Sequence, residues 1–288
     1  SEVQRRQMTT VLDDNVHNIA LEGTFDDCQA IVKGMFNDAD FRRRTSLSGV
    51  NSINWGRIVA QIVYYFTSAA ALGAPHRSVD FTVPTGNFGD IFAGECARRM
   101  GLPINNLIIA TNENDILKRT LETGRYEVGG VTPTMSPSMD IQVSSNFERL
   151  IFESLGREGA ETGRLLASLG QSGGFTMPEK AIAAIRKGFA AGTADEAATG
   201  AAMKAFFEGS GYLADPHTAV GLSVARKYRD PARPMIALST AHPAKFPAAV
   251  VEATGVEPAL PLWLAGLYDK QERLTVLPND LKTVQEFI

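Results

Sequence analysis

Apolar and polar positions alternate in blocks along residues 78–125. Residues 81–83, Phe-Thr-Val, are the aromatic and β-branched run that a buried strand carries. A turn follows at 84–90, Pro-Thr-Gly-Asn-Phe-Gly-Asp, and then IFAGECARRM with helical spacing, stopped by Gly101. Residues 106–111 are a second apolar run, and ILKRTLETG a second helix. This β-α-β-α order predicts an α/β fold, an open, mostly parallel twisted sheet with helices on both faces. A last core strand is expected at 234–239, ending in Thr240-Ala241-His242-Pro243, with a helix from 244. Ligands of such sheets gather at the carboxyl ends of strands, so 85–90 and 239–242 are expected on one edge.

Upstream, the apolar run 16–21 reads as a strand stopped by Glu22-Gly23. Thr24 and Asp27 have capping-box spacing before the helix CQAIVKGMF. Residues 48–57 are polar and small, and lead into IVAQIVYYFTSAAAL, a helix so apolar all round that burial between two lobes is expected. The expected division is 1–72, part of a smaller α/β domain plus an interdomain helix, and 73–288, a larger domain. Residues 126–140 are turn-rich and longer than an ordinary connection, which points to function. A helix is expected at 144–156, a glycine-rich break at 170–176, two helices across 178–209, and one at 218–228 after Asp215-Pro216-His217. There is no internal repeat. The chain opens SEVQRRQMTT without an initiator methionine and reads as the middle of something longer.

Composition narrows the function classes. The 288 residues are 44% hydrophobic, enough for a sizeable core. A net charge of −4 and a single arginine cluster at 42–44 argue against nucleic acid. No apolar run reaches the length of a membrane span, and no signal peptide is visible. Cys28 and Cys96 form no CxxC, so a reduced, cytoplasmic protein is expected. His17, His76, His217 and His242 lack metal-ligand spacing, and no metal site is expected.

Strand, glycine-bearing turn and helix in that order make an anion site, because backbone N–H groups and the helix dipole point at the turn. The spacing at 86–89 is GxxG, neither GxGxxG nor the P-loop. On spacing alone, a phosphate cradle and a merely tightened turn are both open. Asn51, Ser52, Asn54 and Arg57 could bind carboxylate or phosphate oxygens; a helix cap and a solvated turn are the alternative. His242 is an acid/base by type, but a lone His before Pro reads more as a structural hydrogen-bonder. Lys245 reads as solvated, and residues 215–218 most simply as a helix N-terminus.

Six separated stretches together resemble the bacterial and fungal threonine synthases: NVHNIALEGTFDDCQAIVK, SGVNSINWGRI, VPTGNFGDIFAGECARRMGLP, ATNENDIL, TPTMSPSMDIQVSSNFERL and ALSTAHPAKF. The resemblance runs from residue 1 to at least 246. It implies the tryptophan-synthase-β-like fold (fold type II) and pyridoxal 5'-phosphate (PLP) as cofactor, cradled by residues 73–288. Gly86, Asn87, Phe88, Gly89 and Asp90 are then expected on the cofactor phosphate, and Thr240 on its ring nitrogen. Asn51, Ser52, Asn54 and Arg57 fall on the substrate side. The implied reaction turns O-phospho-L-homoserine and water into L-threonine and phosphate, in a monomer or homodimer. The family's Schiff-base lysine lies in a P-T-x-A-F-K-D segment, and none of the nine lysines here stands in that context. The expectation is therefore a lysine upstream of Ser1 and a chain inactive by itself. Two alternatives stay open: a non-catalytic remnant that binds phosphate ligands or a partner, and another fold-type-II enzyme such as a β-replacement synthase. The SPSMDIQVSSNFER stretch argues against the latter.

Overall fold

The computed structural model describes residues 1–288, except the side chains of Phe25 and Asp26. It divides into two units, one of Ser1–Gly49 with Ala259–Ile288, the other of Val50–Pro258. By contact the chain divides after residues 49 and 258, whereas the division expected from the sequence is at 72/73. The physical reason is long-range pairing. Helix α1 (Glu2–Thr9) precedes strand β1 (Ile19–Glu22), whose partner in a parallel pair lies at residues 275–278. The last 30 residues therefore belong with the first 49.

In that first unit, α2 (Phe25–Asn37) opens on the expected capping box: Thr24 accepts from the Asp27 N–H, and Asp27 accepts from the Thr24 N–H at 2.7 Å. Helix α3 (Ala39–Thr45) follows Asp38, whose carboxylate caps it. Ile31, Met35 and Phe41 form the buried centre of this unit together with Val284.

The second unit begins with α4 (Trp55–Ala71), then β2 (Val79–Pro84), α5 (Gly89–Arg99), β3 (Ile104–Thr111) and α6 (Ile116–Thr123). Strand β4 (Arg125–Glu127), helices α7 (Phe147–Ser154) and α8 (Gly159–Ser172), and strand β5 (Gly174–Thr176) come next, β4 and β5 pairing antiparallel. Helix α9 (Glu179–Arg186), strand β6 (Phe189–Thr193), α10 (Glu196–Ser210), α11 (Pro216–Tyr228), β7 (Met235–Ala237) and α12 (Pro247–Thr254) complete it. The C-terminal β8 (Thr275–Pro278) and α13 (Leu281–Phe287) return to the first unit.

The central sheet is four parallel strands in the order β6-β3-β2-β7. Both faces are covered, as expected. Leu107 and Ile109 of β3 pack with Tyr65, Ile91, Phe147 and Ile182, while Ile108 and Ala110 pack with Val220 and Val224 of α11. Each such buried aliphatic side chain contributes about 1.5–3 kcal/mol. The strand order reverses between β2 and β7, which opens a crevice at their carboxyl ends.

Three expectations need correction. Residues 178–209 contain β6 between two helices. The stretch FAAGT has no large β-branched residue because α11 lies close: a Cβ on Gly192 would stand 2.8 Å from Val224 Cγ1. Helix α4 buries Ile58, Tyr65 and Ala69 but leaves Val59 46% and Val63 60% exposed, so in this unit it is buried on one face only. The segment after His242 starts as one 3₁₀ turn, Pro243–Lys245, before α12.

Candidate functional site

A cavity of about 830 Å³ opens at the crevice between β2 and β7. Its floor is the turn 84–91, one wall is Ser138 and Met139, another is residues 236–241, and Gln61, Tyr64 and Ser68 of α4 close a third side. Every one of these residues lies in the second unit.

The floor presents backbone donors. Phe88 adopts φ 64° and caps α5 from the left-handed region, with its ring buried 5.2 Å from Phe147 and 6.1 Å from Phe189. That buried ring holds the strained backbone in place. Among the described residues, no side chain caps α5. Among the described residues, none of the backbone N–H groups of 86–91 donates a hydrogen bond within the protein. Uncommitted donors at a helix N-terminus attract an oxyanion. Gly86 is required for another reason: a Cβ there would lie 2.6 Å from the Ser138 carbonyl oxygen. The Asn87 carbonyl accepts from the Asn146 N–H at 3.0 Å and from Asn146 Nδ2 at 2.9 Å, which pins the turn from behind. Among the described residues lining the cavity there is no lysine and no arginine.

The Ser138 wall is held by two devices. The loop 128–142 is tied around Asp140, whose carboxylate accepts from Asn112 Nδ2 (2.7 Å), Asn114 Nδ2 (3.0 Å), the Thr134 N–H (2.8 Å) and Thr134 Oγ1 (2.7 Å). The second is His217, buried at the start of α11, whose Nδ1 pairs with Asp215 at 2.9 Å. Its Nε2 accepts from the Ser138 N–H at 3.2 Å, so the ring proton sits on Nδ1. Thr218 donates to Asp215 and accepts from the Thr240 N–H at 3.2 Å, linking this group to the end of β7.

Asp90, half-buried in the first turn of α5, accepts from Tyr64 at 2.8 Å and Tyr65 at 3.1 Å, both on Oδ1. Burial pushes its carboxyl up to about 6, against the lowering pull of the two hydroxyls. A carboxyl that titrates higher when folded binds more protons in the folded state. Its contribution to stability is then present at low pH and lost as pH rises through about 6. Asp90→Asn should flatten this slope; thermal unfolding of both proteins between pH 4 and pH 8 measures it, and equal slopes would refute it.

Residues 218–288 match the family model described as threonine synthase, C-terminal. The whole chain is 54% identical to the threonine synthase of Pseudomonas aeruginosa, covering 100% of this chain and 62% of that protein. Over its whole length the chain is similar to threonine synthases. The structure of PLP-bound threonine synthase from Brucella melitensis aligns with a TM-score of 0.96 at 60% identity, over 100% of this chain and 62% of that one. The yeast threonine synthase structure aligns with a TM-score of 0.91 at 39% identity, with the same coverage. The chain thus spans about three-fifths of the length of these relatives.

The residues that the threonine synthase resemblance pointed to separate into two groups. Gly86, Asn87, Phe88, Gly89, Asp90 and Thr240 all line the cavity, and so does Ser52. Asn51, Asn54 and Arg57 are absent from its lining. Asn51 accepts from the Ile53 N–H at 3.2 Å, Asn54 caps α4 by accepting from the Gly56 N–H at 2.8 Å, and Arg57 donates to the Val50 carbonyl at 3.3 Å. Asn54→Ala should lower stability by about 1 kcal/mol, the worth of a helix cap, and leave the affinity for a phosphate ligand within about twofold, since Asn54 is no part of the lining; chemical denaturation and a binding titration measure the two.

His242 is a local hydrogen-bonder, accepting from the Ala244 N–H at 3.2 Å, and neither it nor Lys245 lines the cavity. Sequence reasoning missed His217, because Asp215 and Pro216 already explained the segment as a capped helix start. It also missed Ser138 and Tyr64, whose positions depend on partners 79 and 26 residues away. The length of the loop 126–140 was the one available signal for Ser138.

Proposed function

We propose that this chain supplies the cofactor half-site of a PLP-dependent threonine synthase, a lyase that converts O-phospho-L-homoserine and water to L-threonine and phosphate. The observation that carries this reading is the uncommitted N–H cradle of residues 86–91 at the crevice of a threonine-synthase fold. The fit to a phosphate ester rests on Gly86, where a Cβ would stand in the backbone of residue 138.

In this reading Gly86, Asn87, Phe88 and Gly89 hold the cofactor phosphate through backbone donors, with the dipole of α5 behind them. Thr240, exposed at the end of β7 on the cavity wall, would hold the ring nitrogen through its hydroxyl. A neutral hydroxyl leaves that nitrogen without the obligatory proton an aspartate would impose, which suits elimination over indiscriminate carbanion chemistry. When bound, PLP supplies the electron sink for carbanions at the substrate carbons. Asn146 and Asp140 keep the floor and the Ser138 wall at fixed separation, and Ser52 faces the substrate side.

The proton-moving lysine of such chemistry is proposed to lie outside residues 1–288, since no lysine is among the cavity's described lining. The chain by itself is then a binding half-site. A cytoplasmic location with Cys28 and Cys96 both free, and a monomeric or dimeric state, go with this reading.

The test is a chimera. Residues 1–288 replace the matching part of the Pseudomonas aeruginosa relative, and the product is assayed with PLP for threonine and phosphate from O-phospho-L-homoserine. Threonine formation is expected, and none from the 288-residue chain alone. A folded, PLP-loaded chimera that turns over O-acetylserine and not phosphohomoserine would overturn the assignment.

A further inference from the structure

A carboxylate stands inside the anion cradle. Asp90 immediately follows the backbone donors 86–89 and lines the same cavity. Its Oδ1 is taken by the hydroxyls of Tyr64 and Tyr65 from α4. Its Oδ2 has no hydrogen-bond partner among the described residues. The groups that face it carry little to neutralise it. From α4 come the two tyrosines, with the Arg57 guanidinium acting on Tyr64. From α11, His217 lines the same cavity, its Nε2 already committed to Ser138. The other two walls present Ser138, Met139 and residues 236–241, none of them charged.

A phosphate ester bound at 86–90 brings negative charge next to this carboxylate. Like charges at close range force one group to hold a proton. The helix N-terminus and its N–H donors favour the more highly charged phosphate, so the carboxyl is the better place for that proton. We propose that Asp90 takes up a proton from solvent when a phosphate ester binds, forming an Oδ2–H bond that donates to a phosphate oxygen while Oδ1 keeps its tyrosine hydroxyls.

The inference rests on the phosphate-site reading above and names how that site works. It explains how a cavity with no lysine or arginine among its described lining would hold a dianion: an anion-repelling group becomes a donor. Burial has already moved the Asp90 carboxyl toward protonation in the free protein, so the ligand need only complete the shift. Asp90 is a positioning and charge-matching residue in this role.

The experiment is calorimetric titration of the full chain with pyridoxine 5'-phosphate, which has no aldehyde and forms no covalent link. Titrations at pH 7.5 in buffers of different ionisation enthalpy give the number of protons taken up. The wild type should take up close to one proton per ligand, and its affinity should fall about tenfold per pH unit above that pH. Asp90→Asn, which carries a permanent N–H donor, should bind with neither proton uptake nor that slope. Infrared difference spectra of the wild type should gain a protonated-carboxyl band on ligand addition, shifted by ¹³C-labelled aspartate; this arm needs no variant. Binding without proton uptake, uptake that persists in Asp90→Asn, or no such band would overturn the proposal. Absence of any binding by the wild type would instead overturn the phosphate-site reading, and this inference with it.

Discussion

Gly86→Ala should weaken binding of pyridoxine 5'-phosphate by about 100-fold. The added Cβ would stand 2.6 Å from the Ser138 carbonyl oxygen and 3.4 Å from the Met139 Cα. Both are backbone atoms, so no side-chain rotation relieves the contact. The loop at 138 is itself anchored to Asp140 and His217, so the turn is the part that must move. A shift there swings the donors of 86–89 away from their common focus. A hydrogen bond to a charged group is worth about 1.5–3 kcal/mol, and about 2.7 kcal/mol corresponds to the 100-fold loss. Overpacking also costs the fold about 1–3 kcal/mol. Gly89→Ala is a graded companion, because its Cβ would meet the Ser52 carbonyl at 3.2 Å and Asn146 Nδ2 at 3.3 Å. Its effect on affinity should be smaller than that of Gly86→Ala. Calorimetry on all three proteins reads the series, and a Gly86→Ala protein that binds as tightly as the wild type would show that the turn holds no phosphate.

The second large effect belongs to Asp140, which lies outside the cavity lining. Asp140→Ala takes one shared acceptor from four donors at once: two side-chain amides, one backbone N–H and one hydroxyl. The Asn112 and Asn114 amides keep acceptors at Ser136 and Thr132, while the Thr134 N–H loses its acceptor. Asn112 and Asn114 are 1% and 5% exposed, so water cannot easily replace the lost acceptor. Removing one side of a buried polar network costs the desolvation of everything left behind. A stability loss of about 3 kcal/mol or more is expected, which lowers the unfolding temperature by roughly 6–12 °C for a domain of this size. Ligand affinity should fall as well, because the Ser138 wall is on the loop that Asp140 ties. Asp115→Ala is the comparison. Asp115 pairs with Arg119 on a partly exposed helix face, where an ion pair contributes about 0–1 kcal/mol. Thermal unfolding and ligand titration of the two variants measure the contrast. Equal effects would mean that the Asn112–Asp140 knot is incidental.

The sequence by itself determined what local forces decide. The β2–turn–α5 unit was readable because an apolar strand, a GxxG turn and an amphipathic run have different periods and meet within 20 residues. The Thr24–Asp27 cap was readable because both partners lie within one turn. The parallel sheet followed from the β-α-β-α order, and the shared edge of 85–90 and 239–242 was expected from the rule that parallel strands end together; of the latter, Ser239 to Ala241 line the cavity.

Tertiary structure decided what depends on partners far along the chain. β6 is a strand because β3 pairs with it and α11 presses on Gly192, although its Ala-Gly composition suggests a helix. The segment at 275–278 belongs with 19–22 through a ladder that spans most of the sequence. Asn54 is a cap and Ser52 a wall residue, two residues apart, because the cavity passes on one side of that turn only. His217 joins the site because its ring meets the Ser138 amide, a contact that no spacing rule encodes. Hydrogen-bond periodicity and capping act over a few residues and leave their mark in the order of side chains. Packing and burial act through space, and they alone select which of the chain's many polar groups face the ligand.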